Sequence, residues 1–274
     1  MSSPGVISDE QVEILINDVL EQHGYDFTGY SRASLKRRLS RLYSLDKHVS
    51  FAEFRYRTLN DEVYFKHFVE GVTVNVTEMF RDPSFYRLLR EKILPSLNTY
   101  PFIRIWLAGC STGEEAYSVA IILKELNLLH KSLIYATDIN PTVLEKAGNG
   151  MFPLSQMKNY SENYIASGGT KDFSSYYAAS YSLAKFDTEL KAKMIFSTHN
   201  LVSDRSFNEF QLILCRNVLI YFDRPLQFRV LQLFDQSLEN LGYLALGTKE
   251  TIDFSPVSKS YKRVETDKVW RKIG

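Results

Sequence analysis

The sequence predicts an α/β fold. It consists of a doubly wound, mostly parallel sheet with an inserted small antiparallel β-subdomain, preceded by a small all-helical domain. Up to about residue 70, apolar residues recur at helical spacing. Beyond residue 71, short apolar strands alternate with helices, as in parallel sheets, until a tyrosine- and serine-rich stretch interrupts them. We therefore expect a helical domain over residues 1–70 and an α/β domain over residues 71–274, with the insertion at residues 151–198.

Four helices are predicted in the N-terminal region. Ser8 is a candidate N-cap for the first helix, whose apolar residues run from Val12 to Leu20 and include Ile14, and this helix ends at His23-Gly24. Ser31 is the expected cap of the second helix, whose apolar stripe is Leu35, Leu39 and Leu42. The third and fourth helices are expected around Ser50–Thr58 and Asp61–Gly71.

In the α/β region, strands and helices follow one another in the order typical of a doubly wound sheet. The predicted strands are Ile103–Leu107, Leu133–Ala136, Leu212–Leu214, Tyr243–Gly247 and a closing strand or pair of strands over Tyr261–Ile273. The predicted helices are one ending at Leu126, Pro141–Asn149 and Leu226–Leu241. Inside the insertion, Phe173–Tyr181 and Ser182–Phe186 are expected to form short antiparallel strands. Ligands of such sheets bind outside the carboxyl ends of the strands.

Composition excludes several classes of function. With 33 Lys+Arg against 32 Asp+Glu, the chain has no overall charge that would attract nucleic acid or an anionic membrane. The two cysteines, Cys110 and Cys215, have no metal-ligand spacing, so we expect no metal site and a reducing compartment. The first five residues lack the features of a signal peptide, and no apolar run approaches the ~20 residues that span a bilayer. A cytoplasmic location without membrane insertion is therefore expected.

A candidate nucleotide site lies at the loop Ala108–Glu115, which follows the first strand. Gly109 and Gly113 allow a sharp turn and a close approach of the backbone to a ligand, but a plain strand-to-helix turn has the same appearance. Asp138 ends the next strand, where a carboxylate can accept hydrogen bonds from ribose hydroxyls; alternatively, it caps the helix from Pro141. These residues leave a dinucleotide and S-adenosylmethionine both open as ligands.

Five sequence blocks then narrow the choice. They are Asn75–Asp82, Ala108–Ser118, Ala136–Asn140, Asn200-Leu201 and Cys215–Phe222, which reads Cys-Arg-Asn-Val-Leu-Ile-Tyr-Phe. In order and spacing, these blocks resemble the CheR-type chemotaxis-receptor glutamate methyltransferases, and the resemblance runs from the N-terminal helices to the closing strand. It departs from the family in two places: at Gly247-Thr248-Lys249-Glu250, where Gly-His-Ser-Glu is usual, and in the inserted region, which is longer than in the shorter members of the family. The resemblance implies a Rossmann-like sheet of the class I methyltransferases, with S-adenosyl-L-methionine as cofactor.

The resemblance also implies roles for individual residues. Glu115 would bind the amino-acid end of the cofactor and Asp138 the ribose hydroxyls, while Asn200-Leu201 would flank the adenine. Taken singly, each of these residues could instead be a turn former or a helix-terminal charge. Together with Gly109 of the loop, the implied cofactor residues are Asn75, Thr77, Arg81, Gly109, Glu115, Asp138, Asn200, Leu201, Asn217 and Val218.

Methylation of a glutamate needs no general base, because a carboxyl with a reference pKa of ~4.3 is ionised near neutral pH. No His–carboxylate or Cys–His pair is evident in the sequence, and His199 merely neighbours the adenine segment. Arg81 is the candidate that orients the substrate carboxylate. Tyr221 either donates a hydrogen bond beside the transferred methyl or packs under the strand.

The second helix carries a basic cluster, which consists of Arg32, Lys36, Arg37, Arg38 and Arg41. Such a run can be a solvated helix face or a phosphate-binding patch. The resemblance favours docking of the acidic helical coiled coil in the cytoplasmic methylation region of chemoreceptors, in which charge complementarity speeds encounter. We expect a monomer that does not bind nucleic acid.

Two other functions compete with receptor methylation. The first is a non-catalytic S-adenosylmethionine-binding regulatory module, which would use the same pocket as a sensor. The second is a nucleic-acid methyltransferase, which would more often carry an Asp/Asn-Pro-Pro-aromatic segment where this chain reads Cys215-Arg216-Asn217-Val218. Retention of Arg81 and Tyr221 favours the enzyme over the sensor.

Overall fold

The computed structural model describes residues 7–264 and 268–274. The first five residues, on which the signal-peptide prediction depends, lie outside the described residues, as do residues 265–267 in the predicted closing strands. Among the described residues, no helix combines the length and the apolar composition needed to cross a membrane.

Four helices form the N-terminal unit, as predicted: α1 (Asp9–His23), α2 (Arg32–Leu45), α3 (Phe51–Asn60) and α4 (Glu62–Val72). At the start of α1, Ser8 and Gln11 form a reciprocal capping box. Ser31, in contrast, makes no side-chain cap; its backbone N–H donates to the carbonyl of Tyr221 instead. Ile14 also departs from the prediction, since it is 47% exposed while Val12 is buried.

A seven-stranded sheet forms the α/β unit, in the order β6-β2-β1-β7-β8-β10-β9. The first five strands in this order are parallel, and β10 and β9 join them antiparallel. This arrangement confirms the predicted doubly wound, mostly parallel sheet. The strands are β1 (Ile103–Ala108), β2 (Ser132–Asp138), β6 (Met194–Thr198), β7 (Phe210–Cys215), β8 (Leu238–Leu246), β9 (Tyr261–Arg263) and β10 (Val269–Lys272).

Both faces of the sheet are covered, because alternate side chains of each strand point to opposite faces. In β1, Ile105 and Leu107 join the hydrophobic cluster that includes residues of α7 (Glu114–Glu125). Trp106 joins the cluster that includes residues of α11 (Arg224–Ser237). The continuous apolar strands seen in the sequence therefore correspond to a sheet buried on both sides.

The remaining helices are α5 (Pro83–Leu88), α6 (Leu94–Ser96), α8 (Pro141–Asn149), α9 (Met157–Ala166) and α10 (Thr188–Lys191). Only α8 among these is predicted from the sequence; α5, α6, α9, α10 and the π-helical turn Leu89–Ile93 between α5 and α6 are not. The predicted end of α11, at Leu241, is also too late. Leu238 instead begins β8 and pairs with Phe210, next to an irregularity in the register.

The predicted insertion contains a separate antiparallel sheet of β3 (Met151–Pro153), β5 (Leu183–Phe186) and β4 (Tyr177–Ser180). This finding confirms the antiparallel β-subdomain. However, the last part of the predicted insertion, Met194–Thr198, is β6 and pairs in parallel with β2 in the large sheet. Only Met194 of this strand is buried, as expected for a strand at the edge of the sheet.

The helical unit is attached to the sheet through the segment between α1 and α2. Besides the Ser31–Tyr221 bond of 2.8 Å, the N–H of Asp223 donates to the carbonyl of Gly29 at 2.9 Å. The ring of Tyr30 packs against that of Phe222 with 5.0 Å between centroids. The N-terminal helices are thus held directly beside the predicted site residue Tyr221.

Candidate functional site

A cavity of about 330 Å³ opens at the carboxyl ends of the parallel strands. It lies where the sequence predicts a ligand, between the helical unit and the sheet. Every predicted cofactor residue lines it, as do Tyr221, Arg38, Tyr30, Cys110, His199 and Arg216. The structure thus brings together residues that are far apart in the chain, such as Tyr30 and Tyr221.

The glycine loop forms one wall of the cavity. The N–H groups of Gly109 and Cys110 both donate to the carbonyl of Thr137, at 2.8 and 2.9 Å, which fixes the loop against β2. Gly109 has a φ of +82°, and an added Cβ would lie 2.4 Å from Cγ2 of Val218. Only glycine fits there, because a side chain would be strained and would collide with the opposite wall.

Asp138 is held by the backbone on both carboxylate oxygens. Oδ2 accepts from the N–H of Ser111 at 2.9 Å, and Oδ1 accepts from the N–H of Asn140 at 3.0 Å. Asn140, and not Asp138, caps α8, because its side chain accepts from the N–H of Thr142. This contact excludes the alternative that Asp138 is the cap and leaves its carboxylate facing the cavity. Burial raises the pKa of Asp138, against the lowering effect of its backbone hydrogen bonds.

Arg216 is a buried cation at the back of the cavity, and the sequence analysis missed its importance. Its guanidinium donates to Glu115 Oε1 at 3.1 Å, to Asp82 Oδ2 at 2.6 Å and to the carbonyl of Arg81 at 3.1 Å. It also lies 4.2 Å from the ring centroid of Phe85. The planar fork of an arginine serves such divergent acceptors better than a lysine does.

Arg81 therefore sits in a segment with a fixed backbone. Its neighbours Phe80 and Asp82 have φ values of +54° and +59°, a conformation that is strained for residues other than glycine. The N–H of Phe80 donates to Ser118 Oγ at 3.0 Å, and Arg216 holds the other end of the segment. These contacts present the side chain of Arg81 at the cavity wall.

Glu250 supports the opposite wall. Its buried carboxylate accepts from the N–H groups of Asn217 at 2.9 Å, Ile220 at 3.2 Å and Gly247 at 2.6 Å. Asn217 needs this support because its φ is +61°. Glu250 is the last residue of the Gly247–Glu250 block, so the departure from the family pattern at Thr248-Lys249 leaves this contact intact.

Tyr221 contacts Arg38, a residue of the basic cluster on α2. The guanidinium carbon of Arg38 lies 4.5 Å from the Tyr221 ring centroid, and Arg38 Nη1 donates to the carbonyl of Val72 at 2.6 Å. Arg38 thus belongs to the cavity wall, whereas the sequence analysis placed it with the substrate-docking residues. Tyr221 lines the cavity and also packs against the hydrophobic cluster that contains Trp106, so both predicted positions of its ring apply.

The other four cations of α2 fall into two pairs. Arg32 forms an ion pair with Glu13, and Lys36 lies 2.9 Å from Asp9, so acids of α1 partly neutralise them. Arg37 and Arg41 are exposed and form no ion pair within the described parts of the chain. The sequence showed no acid near the cluster because these acids lie on a different helix.

The predicted adenine segment combines structural and lining roles. Asn200 Oδ1 accepts from the N–H of Val202 at 2.9 Å, so this residue does form a turn. It lines the cavity beside Leu201 and His199. Asn75 and Thr77 line the cavity from the segment after α4, and Asn75 Nδ2 lies 3.4 Å from Thr73 Oγ1.

The chemistry of the cavity fits S-adenosylmethionine. Ser111 Oγ and His199 Nδ1 are buried, and neither has a hydrogen-bond partner within the part of the chain that the structure describes. Buried polar atoms without a partner are costly, so they indicate a polar ligand. The carboxylate of Asp138 can accept hydrogen bonds from a ribose, and that of Glu115 can bind a cationic amino group. The absence of a side chain at Gly109, opposite Val218, leaves room for a ligand group close to the backbone.

Comparison with known proteins agrees with this geometry. Residues 75–269 match the family model described as "CheR methyltransferase, SAM binding domain", and residues 10–73 match "CheR methyltransferase, all-alpha domain". The chain is 42% identical to the Pseudomonas putida protein named Cher3, over 97% of each chain. It is 34% identical to chemotaxis protein methyltransferase 2 of Pseudomonas aeruginosa, over 82% of each chain. It is 30% identical to the chemotaxis protein methyltransferase of Salmonella typhimurium, over 85% of this chain and 78% of that one.

The fold, the cavity and both family matches agree with one another across nearly the whole described chain. The methyltransferase activity and the cofactor predicted from the sequence are confirmed. The chain belongs to the CheR methyltransferase family, and S-adenosylmethionine is its cofactor.

Proposed function

We propose that this protein transfers the methyl group of S-adenosylmethionine to glutamate side chains of chemotaxis receptors. The observation that carries the proposal is that Arg81 and Tyr221 line the same cavity as the predicted cofactor residues. An anionic acceptor would meet a cation and a phenol there. The relatives from Pseudomonas aeruginosa and Salmonella typhimurium are named chemotaxis protein methyltransferases, which supports receptors as the substrate class.

The proposed mechanism needs no proton to be removed before transfer. When bound, S-adenosylmethionine supplies a methyl group already activated on a sulfonium. A glutamate carboxylate attacks that methyl carbon, so that a methyl ester forms and the carbon–sulfur bond breaks with its electron pair left on sulfur. Arg81 orients the carboxylate, and a modest grip avoids stabilising the ground state more than the transition state. Tyr221 donates a hydrogen bond beside the reacting oxygen.

The remaining site residues have proposed roles at the cofactor. Asp138 accepts hydrogen bonds from the ribose hydroxyls, Glu115 binds the amino group, and Asn217-Val218 border the amino-acid portion. Asn200-Leu201 flank the adenine, and Asn75 and Thr77 close the cavity from the segment between the two units. We also propose that residues 1–70 form the receptor-recognition domain and residues 71–274 the methyltransferase domain.

The partner is proposed to be the acidic helical methylation region of a receptor, with Arg37 and Arg41 as the cations of α2 that remain free to meet it. We further propose that the enzyme works as a monomer in the cytoplasm. Neither nucleic acid nor a membrane is a proposed partner, because the chain has a formal net charge of only +1.

Methyl transfer by the Arg81→Ala variant tests the proposal. We expect receptor-containing membranes to acquire label from methyl-labelled S-adenosylmethionine with the wild type. The variant should lose most of this transfer while it keeps its melting temperature, because the Arg81 side chain makes a single hydrogen bond within the described residues, to the carbonyl of Val76 at 3.3 Å. Near-wild-type turnover by the variant would remove Arg81 from the mechanism. Cofactor binding without any transfer by the wild type would favour the non-catalytic regulatory module.

A further inference from the structure

A second groove, of about 230 Å³, lies beside the cofactor cavity on the surface of the methyltransferase domain. Ile220, the residue before Tyr221, lines both of them. The buried carboxylate of Glu250 fixes this shared wall through the N–H groups of Asn217 and Ile220. The groove is therefore firmly placed next to the residue that we propose acts on the substrate.

Two cations border the groove without a neutralising partner. Arg224 and Lys249 are exposed, and neither forms a salt bridge within residues 7–264 and 268–274. Of the carboxylates near them, Glu250 is bound to backbone N–H groups and Asp223 caps α11 through the N–H of Leu226. Asp253 is exposed but does not line the groove. The two cations of the groove are therefore not engaged in ion pairs with these carboxylates.

The groove also exposes apolar surface. Phe254 is 74% exposed and Ile220 is 38% exposed, and the Arg224 guanidinium lies 5.9 Å from the Phe254 ring centroid. Aromatic and arginine side chains are enriched at protein–protein interfaces relative to the rest of the surface. Its ligand should combine carboxylates with at least one apolar side chain.

Resting on the proposed function, we propose that this groove docks the acidic substrate helix next to the glutamate that is methylated. In a helix, residues three and four positions away lie on the same face, about one turn or 5.4 Å along the axis. When the target carboxylate enters between Arg81 and Tyr221, carboxylates one turn away reach Lys249 and Arg224. An apolar side chain of the same helix covers Phe254. The substrate is then held by Arg37 and Arg41 of α2 and also by the methyltransferase domain itself.

Lys249 has a particular place in this proposal. It is part of the block in which this chain departs from the pattern usual in its family, whereas the adjacent Glu250 keeps its structural contacts. A cation at this position adds attraction for acidic sequence beside the target glutamate. Lys249 is therefore a residue that sets substrate preference and not one that touches the reacting atoms.

Charge reversal tests the groove. The probe is a soluble cytoplasmic fragment of a receptor that contains its acidic methylation helices, and the variants are Lys249→Glu and Arg224→Glu. Each should weaken binding of the labelled fragment and raise its KM by about five- to tenfold at low ionic strength, with a smaller effect in high salt. An unchanged affinity of each variant for S-adenosylmethionine would show that its cofactor cavity is intact. Arg229→Glu is the matched control, since Arg229 is exposed on the same helix but does not line the groove.

Three outcomes would overturn the proposal. If both variants bind the fragment and turn it over with the same affinity and KM as the wild type, the groove is excluded as a docking site. Methyl transfer by the wild type would still support the proposed function in that case. If Arg229→Glu weakens fragment binding equally, the effect comes from surface charge in general and not from the groove. A concentration-dependent dimer that Lys249→Glu abolishes, measured by sedimentation velocity, would assign the groove to a second copy of the chain. If the wild type transfers no methyl to the fragment, the proposed function fails, and the fragment affinities still decide about the groove.

Discussion

Replacement of Arg216 by lysine tests whether this buried cation positions Arg81. The guanidinium donates to two carboxylates, Glu115 and Asp82, and to the carbonyl of Arg81. A lysine keeps the charge but presents one ammonium on a flexible stem, which cannot reach all three acceptors. A lost hydrogen bond to a charged group costs about 1.5–3 kcal/mol, so we expect Arg216→Lys to unfold at a lower temperature.

The effect on catalysis should exceed the effect on folding. Without the bond to its carbonyl, the backbone of Arg81 loses one of the contacts that fix it, and a displacement of about 1 Å in such a group can cost ~100-fold in rate. The assay is kcat at saturating S-adenosylmethionine and receptor fragment, measured well below the melting temperature. Arg104→Lys is the control, because Arg104 pairs with Glu239 at 3.1 Å and does not line the cavity. Wild-type kcat in Arg216→Lys, with the expected loss of stability, would refute the positioning role.

Two further predictions concern the cofactor walls. Gly109→Ala should lower the affinity for S-adenosylmethionine by at least about tenfold in calorimetric titration, because it adds strain of roughly 1–3 kcal/mol and a clash with Val218. Gly24→Ala is the control, since Gly24 has a φ of +74° but no atom within 4 Å of an added Cβ, and this variant should lose stability only. Equal cofactor affinities in the two variants would contradict the prediction. Burial raises the pKa of Asp138, so the carboxylate that we propose accepts from the ribose hydroxyls is present above that raised pKa and is lost as the pH falls through it. The affinity for S-adenosylmethionine should therefore weaken with falling pH in the wild type and stay weak and nearly pH-independent in Asp138→Asn, whereas parallel pH profiles would exclude this role.

The fold could be predicted from the sequence wherever local patterns determine the structure. The helical spacing of Leu35, Leu39 and Leu42 correctly indicates the buried face of α2. The apolar run Ile103–Leu107 correctly indicates a strand buried on both faces. Pairing between distant segments has no local signal, and this is why Met194–Thr198 was assigned to the insertion although it extends the parallel sheet.

The site could be predicted in part for the same reason. Gly109 and Asp138 were found because a turn and a strand end are visible in the sequence. Arg216 and Glu250 were not recognised as supports, because their partners lie 135 and 33 positions away for the bonds to Arg81 and Asn217. The neutralisation of Arg32 and Lys36 by acids of α1, and the turn of Arg38 toward Tyr221, likewise depend on how the helices pack.

The most direct test of the account is the chemical identity of the methylated group. A receptor fragment is incubated with the wild type and S-adenosylmethionine, and its peptides are sequenced by mass spectrometry before and after mild base. We predict one added methyl on glutamate side chains, released as methanol by base, and none after incubation with Arg81→Ala. Methyl groups that resist base, or that appear on other side chains while glutamates stay unmodified, would contradict the claim that this cavity builds a carboxylate methyltransferase.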